Sequence, residues 1–423
     1  MSNRAKPTKG WKKLLLGVLA VAVLAVAGAV FYAMNYVDNV MDEIKPESGA
    51  ASIEEQYKTP PEYEGDVVNV LVCGIDSSAD RDYGGDGMTD LIMYVQFDVK
   101  NKKISMFQIP RDTFVGGYKL TMENGEVWRS SNAKINSVMR RNATTNADGV
   151  EVGNMNALTA VIYNMYKLPV DHYVTIDMDA LVAMVDHMQG IDVYIPERIE
   201  TKTSAGSSVL EAGYHTLLGT DVQFLVRYRG YNTSDIGRLG AQRYIYQGLF
   251  TKLRSSTVTD LVRLMPVVAM YVKTDMEMIP IIQLAIAALE VKASDFILCT
   301  SPVFMDCDNY GVKVDAATGE VTNKGQDIVV ADRKKNADLL NEYFRTYTGE
   351  VPASELNIPD YTHRGGSTDA TVQKMSGLDQ DVNDAIDAGN TDVVGAEKIE
   401  TDADSAASSQ AADSAAASSD AAP

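Results

Sequence analysis

The residues best suited to chemistry in this sequence are a group of arginines in an acidic chain. The 423 residues carry a formal net charge of -20, yet the stretch FLVRYRGYNTSDIGRLGAQR contains four arginines and one acid. Guanidinium groups bind carboxylate and phosphate oxygens in bidentate fashion and stay charged at physiological pH. A single arginine in such a place is usually part of a weak surface ion pair. Because too few acids lie nearby to pair all four, the group favours binding of an anion.

The local pattern predicts how these side chains are placed. FLVRYR is typical of a strand, in which Arg227 and Arg229 would point to the same side. The following DIGRLGAQRYIYQGLF is typical of a helix, in which Arg238 and Gln242 share one face while Arg243 points elsewhere. We therefore expect the strand pair and the helix pair to converge on one anion.

An acidic loop is the second candidate for chemistry. In GIDSSADRDYGGDGMTD, Asp76 and Asp90 lie at the junctions with apolar strands, so a sheet would fix their positions. Mg²⁺ takes oxygen ligands, typically one or two carboxylates plus the phosphates of a substrate. We interpret these two residues as candidate metal ligands, and Asp80, Asp82 and Asp86 as ordinary turn residues.

Arg111 is a further candidate, because it directly follows another apolar strand in SMFQIPRDTFV. Pro110 restricts the path of the chain as it leaves that strand. Exposure of Arg111 on the surface is the alternative. The three cysteines are too few for a disulfide framework, and the spacing of Cys299 and Cys307 leaves open whether they pair.

These residues lie within a predicted α/β domain. VVNVLVCGI, DLIMYVQFDV, KISMFQIP, HYVTI, GIDVYIP and ILCTSPVF predict strands. ALTAVIYNMY, MDALVAMVDHM, DLVRLMPVVAMYVKT, MIPIIQLAIAAL and KNADLLNEYFRTYT predict helices. Strands that alternate with helices indicate helices packed on a central sheet.

An apolar stretch near the N-terminus predicts a membrane anchor. Residues 14–34 contain no charged side chain, and about 20 apolar residues suffice for a helix to cross a bilayer. Five basic residues precede the stretch and acids follow it, which predicts a cytoplasmic N-terminus and an external remainder. A cleaved signal peptide is the alternative, although its apolar region usually spans about 7–15 residues.

The acidic balance argues against nucleic acid as a partner, because such binding relies on a basic surface that neutralises phosphates. From residue 364 onward, twelve acidic residues stand against three basic ones. The last residues, ADSAASSQAADSAAASSDAAP, lack the apolar content to form a core. We therefore predict a disordered, solvated tail from 364 to the end.

Five motifs in order resemble the LytR–CpsA–Psr family over residues 66–255. They are NVLVCGIDSS, MTDLIMYVQFDVKNKKISMFQIPRDTFV, KINSV, DHYVTIDMDALVAMVDHMQGIDVYIP, and LVRYRG with DIGRLGAQR. The resemblance implies an extracytoplasmic α/β domain with a central mixed sheet flanked by helices, after one transmembrane helix. The implied parts are a cytoplasmic segment (1–13), a transmembrane helix (14–34), a linker (35–65), a catalytic domain (66–350) and the tail (364–423).

The resemblance also implies roles for the candidate residues. Asp76 and Asp90 match the family's magnesium-binding aspartates. The arginines and glutamine match its pyrophosphate-binding and catalytic positions: Arg111, Arg227 and Arg229 in both roles, and Arg238 and Gln242 in binding. Such enzymes move an anionic glycopolymer, teichoic acid or capsule, from a polyprenyl pyrophosphate carrier to peptidoglycan. A pyrophosphatase that uses water as acceptor and a membrane-bound regulator without ligase activity are the alternatives.

One position departs from the family pattern. Met88 stands where the family has an arginine two residues before the second magnesium-binding aspartate. Arg81, in the same glycine-containing loop, is the arginine available to supply the missing charge to the phosphates. Its alternative is an ion pair with Asp80 or Asp82 in solvent.

We predict that Arg81→Ala impairs transfer, because a phosphate contact is lost, and that adding Met88→Arg restores part of the loss. Rates of the two variants measured side by side check this. If Arg81→Ala transfers at the wild-type rate, Arg81 does not replace the family's arginine.

Overall fold

The chain adopts a mixed α/β fold in the computed structural model. The structure describes residues 67–76, 87–117, 119–121, 127–129, 134–145, 147, 149, 151–203, 206–228, 230–231, 235–256, 264, 272–276, 281, 284–285 and 287–399. The predicted transmembrane helix (14–34) and linker (35–65) lie outside these residues. Within these ranges no helix is both long and apolar enough to span a bilayer.

A seven-stranded mixed sheet forms the centre of the domain. Its strands are β1 (Val67–Ile75), β2 (Thr89–Asp98), β3 (Lys103–Gln108), β4 (His172–Asp177), β5 (Val272–Thr274), β6 (Phe296–Thr300) and β7 (Thr371–Lys374). Their order across the sheet is β5-β4-β1-β2-β3-β6-β7. The pairs β1/β4 and β3/β6 are parallel and the others are antiparallel. The predicted central mixed sheet is therefore confirmed.

Helices cover the sheet. In the described part of the chain they are α1 (Val138–Arg141), α2 (Met155–Tyr166), α3 (Met178–His187), α4 (Gly219–Arg227), α5 (Asp235–Arg254), α6 (Arg333–Tyr343) and α7 (Met375–Asp387). Short 3₁₀ turns cover Ile135–Ser137, Ala293–Asp295 and Ala353–Glu355. Side-chain caps begin three of these helices: Asn154 accepts from the Ala157 N–H before α2, Asp177 accepts from the Ala180 N–H before α3, and Asp332 accepts from the Lys335 N–H before α6.

The described residues also form seven two-stranded pairs outside this sheet. They are Lys119–Thr121 with Val127–Arg129, Thr144–Thr145 with Glu151–Val152, Ile191–Ile195 with Gly213–Leu217, Ile199–Thr203 with Gly206–Leu210, Val303–Phe304 with Val330–Ala331, Asp306–Cys307 with His363–Arg364, and Lys313–Val314 with Val321–Asn323. Strand Ile191–Ile195, which pairs with Gly213–Leu217, packs against α5. Gly248 permits this approach, because a Cβ there would lie 2.4 Å from the Asp192 carbonyl oxygen.

The largest cluster of buried hydrophobic residues joins strands β1, β2 and β3 to helix α2. Alternate residues of β1, Leu71, Cys73 and Ile75, are buried against α2, which contributes Leu158 and Ile162. Burial raises the pKa of the Cys73 thiol well above its ordinary value. Cys73, Cys299 and Cys307 are all free thiols.

Three predictions from local pattern are wrong. FLVRYR is not a strand: its first four residues end the helix α4 (Gly219–Arg227). A short apolar run does not distinguish a strand from a buried helical segment. Here Asp221 accepts the Leu218 N–H at 3.3 Å at the start of the helix, and Val222 and Leu225 are buried at helical spacing.

The second error concerns DLVRLMPVVAMYVKT, which was predicted to be helical throughout. Its last three residues form strand β5 and pair with β4 at the edge of the sheet. Val272 and Thr274 are buried there, so β-branched residues two apart fill one face of a strand.

The third error is the boundary of the predicted disordered tail at 364. Strand β7 joins the sheet beside β6, and α7 buries Met375, Leu378 and Val382. The fold therefore extends beyond the predicted limit of the domain at 350. The high acid content hid an amphipathic helix, whose buried positions are spaced three and four residues apart. The Ala/Ser/Asp-rich end from 400 lies outside the described residues.

We predict that Leu378→Ala lowers the free energy of unfolding by about 2–5 kcal/mol, because truncating a fully buried leucine leaves a cavity. Val394→Ala is the control, since Val394 is 99% exposed and its truncation should change stability by less than about 0.5 kcal/mol. Chemical denaturation of both variants checks this. Equal stability of the two would mean that α7 does not contribute to the core.

Candidate active site

Asp76 and Asp90 lie side by side at one edge of the sheet, where β1 ends and β2 begins. The Asp76 N–H donates to the Met88 carbonyl oxygen at 2.8 Å. The pairing of β1 with β2 shifts register between Gly74 and Ile75. Gly74 allows this bulge, because a Cβ would lie 2.9 Å from that of Leu91. The sheet thus brings the two carboxylates to one place, as the sequence predicts.

Arg111 reaches the same place from the end of β3. Its Nη1 lies 2.7 Å from Asp90 Oδ2, and its side chain is 11% exposed. Its Nε lies 3.9 Å from Asp112 Oδ2, and Asp112 Oδ1 is 2.8 Å from Lys134 Nζ. The Asn136 N–H donates to the Arg111 carbonyl oxygen at 3.2 Å, which anchors the loop to the turn after Lys134.

Arg227 reaches Asp76 from the last residue of α4. The distance between its Nη2 and Asp76 Oδ1 is 3.6 Å, an ion pair that is too long for a hydrogen bond. This Nη2 is buried and has no hydrogen-bond acceptor within the described residues. A cation is also favourable at the C-terminus of a helix, where carbonyl groups carry partial negative charge. Arg227 therefore retains hydrogen-bonding capacity for an anion.

Gln242 connects α5 with both neighbouring elements of the site. Its Oε1 accepts from Gln108 Nε2 at 3.0 Å, and its Nε2 donates to the Val226 carbonyl oxygen at 3.5 Å. Tyr246, one turn further along α5, donates its hydroxyl to the same Oε1 at 3.4 Å. Arg238, one turn before, is 3% exposed. The predicted shared face of Arg238 and Gln242 is confirmed, and it faces the end of β3.

Most of the predicted residues that the structure describes come together. Asp76, Asp90, Arg111 and Arg227 are joined by ion pairs, and Gln242 binds the residue that precedes Arg227. Arg229 and Arg81 lie outside the described residues, so their placement stays a prediction. Because FLVRYR is helical up to Arg227, the expected strand face shared by Arg227 and Arg229 is wrong. Met88, at the departure from the family pattern, is 41% exposed.

Sequence reasoning missed Lys134, Asp112 and Gln108 as parts of the site. Lys134 opens the motif KINSV, but its place in the site depends on the 3₁₀ turn that follows it, which the sequence pattern does not indicate. Asp112 follows Arg111 directly and separates its guanidinium from the Lys134 ammonium. Gln108 is buried at the end of a strand, where a polar residue requires a partner.

The arrangement places two neighbouring carboxylates, each paired with an arginine, in a half-buried place. Such a set suits an anion with several oxygens, because guanidinium groups bind such anions in bidentate fashion. Among the described residues no three His, Cys, Asp or Glu side chains form a metal cluster. Two neighbouring carboxylates alone fit Mg²⁺, which keeps waters and binds through one or two carboxylates plus substrate phosphates. The donor set therefore suits a magnesium ion that arrives with a phosphorylated substrate.

Comparison with known proteins places this site in context. Residues 31–324 match the model of the LytR_cpsA_psr family. Polyisoprenyl-teichoic acid–peptidoglycan teichoic acid transferase TagU of Oceanobacillus iheyensis is 26% identical over 277 residues, which cover 64% of this chain and 79% of that protein. TagV of Bacillus subtilis, named as the same kind of transferase, is 25% identical over 250 residues, 58% of this chain and 59% of that protein.

A third relative carries a different kind of name. Regulatory protein MsrR of Staphylococcus aureus is 26% identical over 223 residues, which cover 52% of this chain and 59% of that protein. The chain thus spans less than two thirds of the length of TagV and MsrR. The crystal structure of B. subtilis TagV matches with a TM-score of 0.49 at 18% identity, covering 70% of this chain and 100% of that chain.

We predict that Arg111→Ala weakens binding of inorganic pyrophosphate by about 10- to 150-fold, since a hydrogen bond to a charged group contributes about 1.5–3 kcal/mol. Arg198→Ala is the control, because Arg198 is exposed and pairs with Glu200 and Glu211 on a hairpin. Isothermal titration calorimetry in the presence of Mg²⁺ checks both variants. An equal loss in the two, or no loss in Arg111→Ala, would mean that Arg111 does not bind the anion.

Proposed function

Since this chain belongs to the LytR–CpsA–Psr family, we propose that it is a phosphotransferase that moves an anionic glycopolymer from a polyprenyl pyrophosphate carrier to peptidoglycan. The observation that carries the proposal is that the neighbouring carboxylates Asp90 and Asp76 at one edge of the sheet each pair with an arginine, Arg111 and Arg227 respectively. The relatives named as teichoic acid transferases support the class of reaction. Teichoic acid and capsule polymers are the proposed substrates.

The transfer exchanges a phosphoanhydride bond for a phosphate ester bond. An oxygen of a peptidoglycan hydroxyl forms a bond to the phosphorus that carries the glycopolymer, and the bond from that phosphorus to the bridging oxygen breaks. Polyprenyl phosphate leaves with the bonding electron pair, and the hydroxyl proton is released. The product is a phosphodiester between the polymer and peptidoglycan.

The residues of the site act on the charge of the pyrophosphate. Arg111 and Arg227 bind its oxygens and stabilise the charge that grows on the leaving phosphate, with Arg229 and Arg81 proposed beside them. Arg238 and Gln242 line the same group from α5. Asp76 and Asp90 are the residues that would hold Mg²⁺, which would neutralise phosphate charge when bound. Positioning and charge stabilisation are the main contributions of protein to phosphoryl transfer.

The chain is proposed to act outside the cell while anchored in its membrane. The apolar, uncharged residues 14–34, with basic residues before them, support a single span with a cytoplasmic N-terminus. The anchor would hold the site near the bilayer that supplies the polyprenyl carrier. Digestion of intact protoplasts by an external protease checks this placement: a protected catalytic domain would exclude it.

A regulatory role is the second candidate, because one relative is named a regulatory protein. The arginine group lies on the part of the chain that is predicted to be external. A regulator without ligase activity needs no turnover of a lipid-linked substrate, so the measurement of turnover separates the two functions.

The decisive experiment incubates the purified protein with a synthetic polyprenyl-pyrophosphate-linked glycan, peptidoglycan oligomers and Mg²⁺. Mass spectrometry should detect a phosphodiester-linked product together with polyprenyl phosphate. Release of polyprenyl phosphate without a linked product would identify a pyrophosphatase that uses water. Absence of both products would leave the regulatory function.

Asp76→Asn should lower this turnover by about 100-fold, because it would weaken binding of the Mg²⁺ that offsets the developing negative charge, and loss of one such stabilising group costs about 10²–10³. It should also weaken binding of Mn²⁺ in the presence of inorganic pyrophosphate, measured by electron paramagnetic resonance. Asp315→Asn is the control, because Asp315 lies in an exposed turn and accepts only from neighbouring backbone N–H groups in the bonds found there. Unchanged Mn²⁺ binding in Asp76→Asn would mean that Asp76 is not a metal ligand.

A further inference from the structure

A cavity of about 320 Å³ lies beside the first turns of α5, apart from the charged residues of the site. The helix gives it one wall through Gly237, Gly240 and Ala241. A Cβ on Gly240 would meet nothing within 4 Å, so there is empty space next to the helix at this position. The volume lies at the lower end of the range for small-ligand sites, about 300–1,000 Å³.

Arg243 lines this cavity and is 8% exposed. Its Nη2 donates to Thr300 Oγ1 at 2.8 Å, and its Nη1 donates to Gln373 Oε1 at 3.3 Å. Its Nε is buried and has no acceptor within the described part of the chain. Both acceptors that it has are neutral, and the ion pairs of the described residues do not include it.

A buried guanidinium with neutral partners alone is unfavourable, because removing a full charge from water costs several kcal/mol unless an opposite charge compensates it. Burial accordingly lowers the pKa of Arg243. A carboxylate or phosphate placed in the cavity would both compensate the charge and accept from the guanidinium.

The remaining lining suits a ring that has an apolar face and several hydroxyl groups. Tyr231 and Tyr244 offer aromatic surface, and Glu197 and Gln373 offer acceptors and a donor. Glu197 is exposed, so it lies at the side of the cavity that faces solvent. The acidic residue of the lining, Glu197, therefore lies at the solvent-facing rim of the cavity, and the buried Arg243 lies in its interior.

We propose that this cavity binds a sugar ring bearing a carboxylate or phosphate, with the anionic group against Arg243 and the hydroxyls near Glu197 and Gln373. The choice of a sugar rests on the proposed function, in which both the donor and the acceptor are glycans; the choice of an anion rests on Arg243 alone. The cavity would be a glycan subsite next to the pyrophosphate-binding residues, because Arg243 directly follows Gln242.

Three probes with the same ring separate the contributions: glucose, glucuronate and glucose 6-phosphate. Binding of each to the full-length protein is measured by ligand-observed saturation-transfer NMR at increasing concentration. We expect one or both anionic sugars to bind at least about tenfold more tightly than glucose. Preference for glucuronate would identify a carboxylate site, and preference for glucose 6-phosphate a phosphate site.

Gly240→Leu should abolish binding of the anionic sugars, because the side chain would fill the cavity. Gly377→Leu is the matched control: Gly377 lies in α7, its Cβ would also meet nothing within 4 Å, and it is not one of the residues that line the cavity. Arg243→Met should remove the preference for an anion over glucose. Should Arg243→Met fail to fold, the pair of glycine variants still decides the question.

The inference is overturned if the three sugars bind equally or not at all, or if Gly240→Leu binds them as Gly377→Leu does. Its failure is distinguishable from failure of the proposed function, because the readout is binding and not transfer. Arg227→Ala should abolish transfer and keep the binding of anionic sugars. Transfer without sugar binding would contradict only the proposed glycan subsite. Sugar binding without transfer would contradict only the proposed function.

Discussion

The docking of α5 on the ends of two neighbouring strands is the constraint on which the rest of the site depends. Gln108 of β3 and Thr300 of β6 are opposite each other in the parallel pairing of these strands. The consecutive helix residues Gln242 and Arg243 bind these two side chains, one each. These two bonds set the rotation of α5, and with it the direction of Arg238 and the position of the cavity wall.

The charged residues of the site must also offset one another. Two unit charges 4 Å apart interact by about 4 kcal/mol at an effective dielectric constant of ~20, whether they attract or repel. Arginines gathered without carboxylates would therefore repel each other by an amount comparable to a large share of the stability of a domain. Asp90 and Asp76 offset this by pairing with Arg111 and Arg227. An acidic chain can keep arginines together because strand ends place carboxylates between them.

The parts of the fold that were predictable are those where local pattern and burial agree. Strands β1 to β4 and helices α2 and α3 have one strong period each, and the carboxylates at the ends of β1 and β2 follow from the strands. FLVRYR failed because β-branched and aromatic residues gave it strand character, whereas a cap at Asp221 and burial of Leu225 made it helical. Lys134 could not be placed, since its contact with Asp112 depends on a turn packed against the loop after β3. Such contacts between distant segments leave no periodic trace in the sequence.

The acidic C-terminal segment shows why composition alone misplaces a domain boundary. Two of its acids are not solvated charges but acceptors for α5: Asp379 accepts from Gln247 Nε2 at 2.8 Å, and Asp381 accepts from the Tyr244 hydroxyl at 2.9 Å. Gln373 of β7 accepts from Arg243 one strand beyond Thr300. The segment therefore holds α5 from the side opposite to Gln108. Because a helix fixed on both sides cannot rotate without breaking several hydrogen bonds at once, the last strand and helix of the fold keep Gln242 of α5 directed at the end of β3.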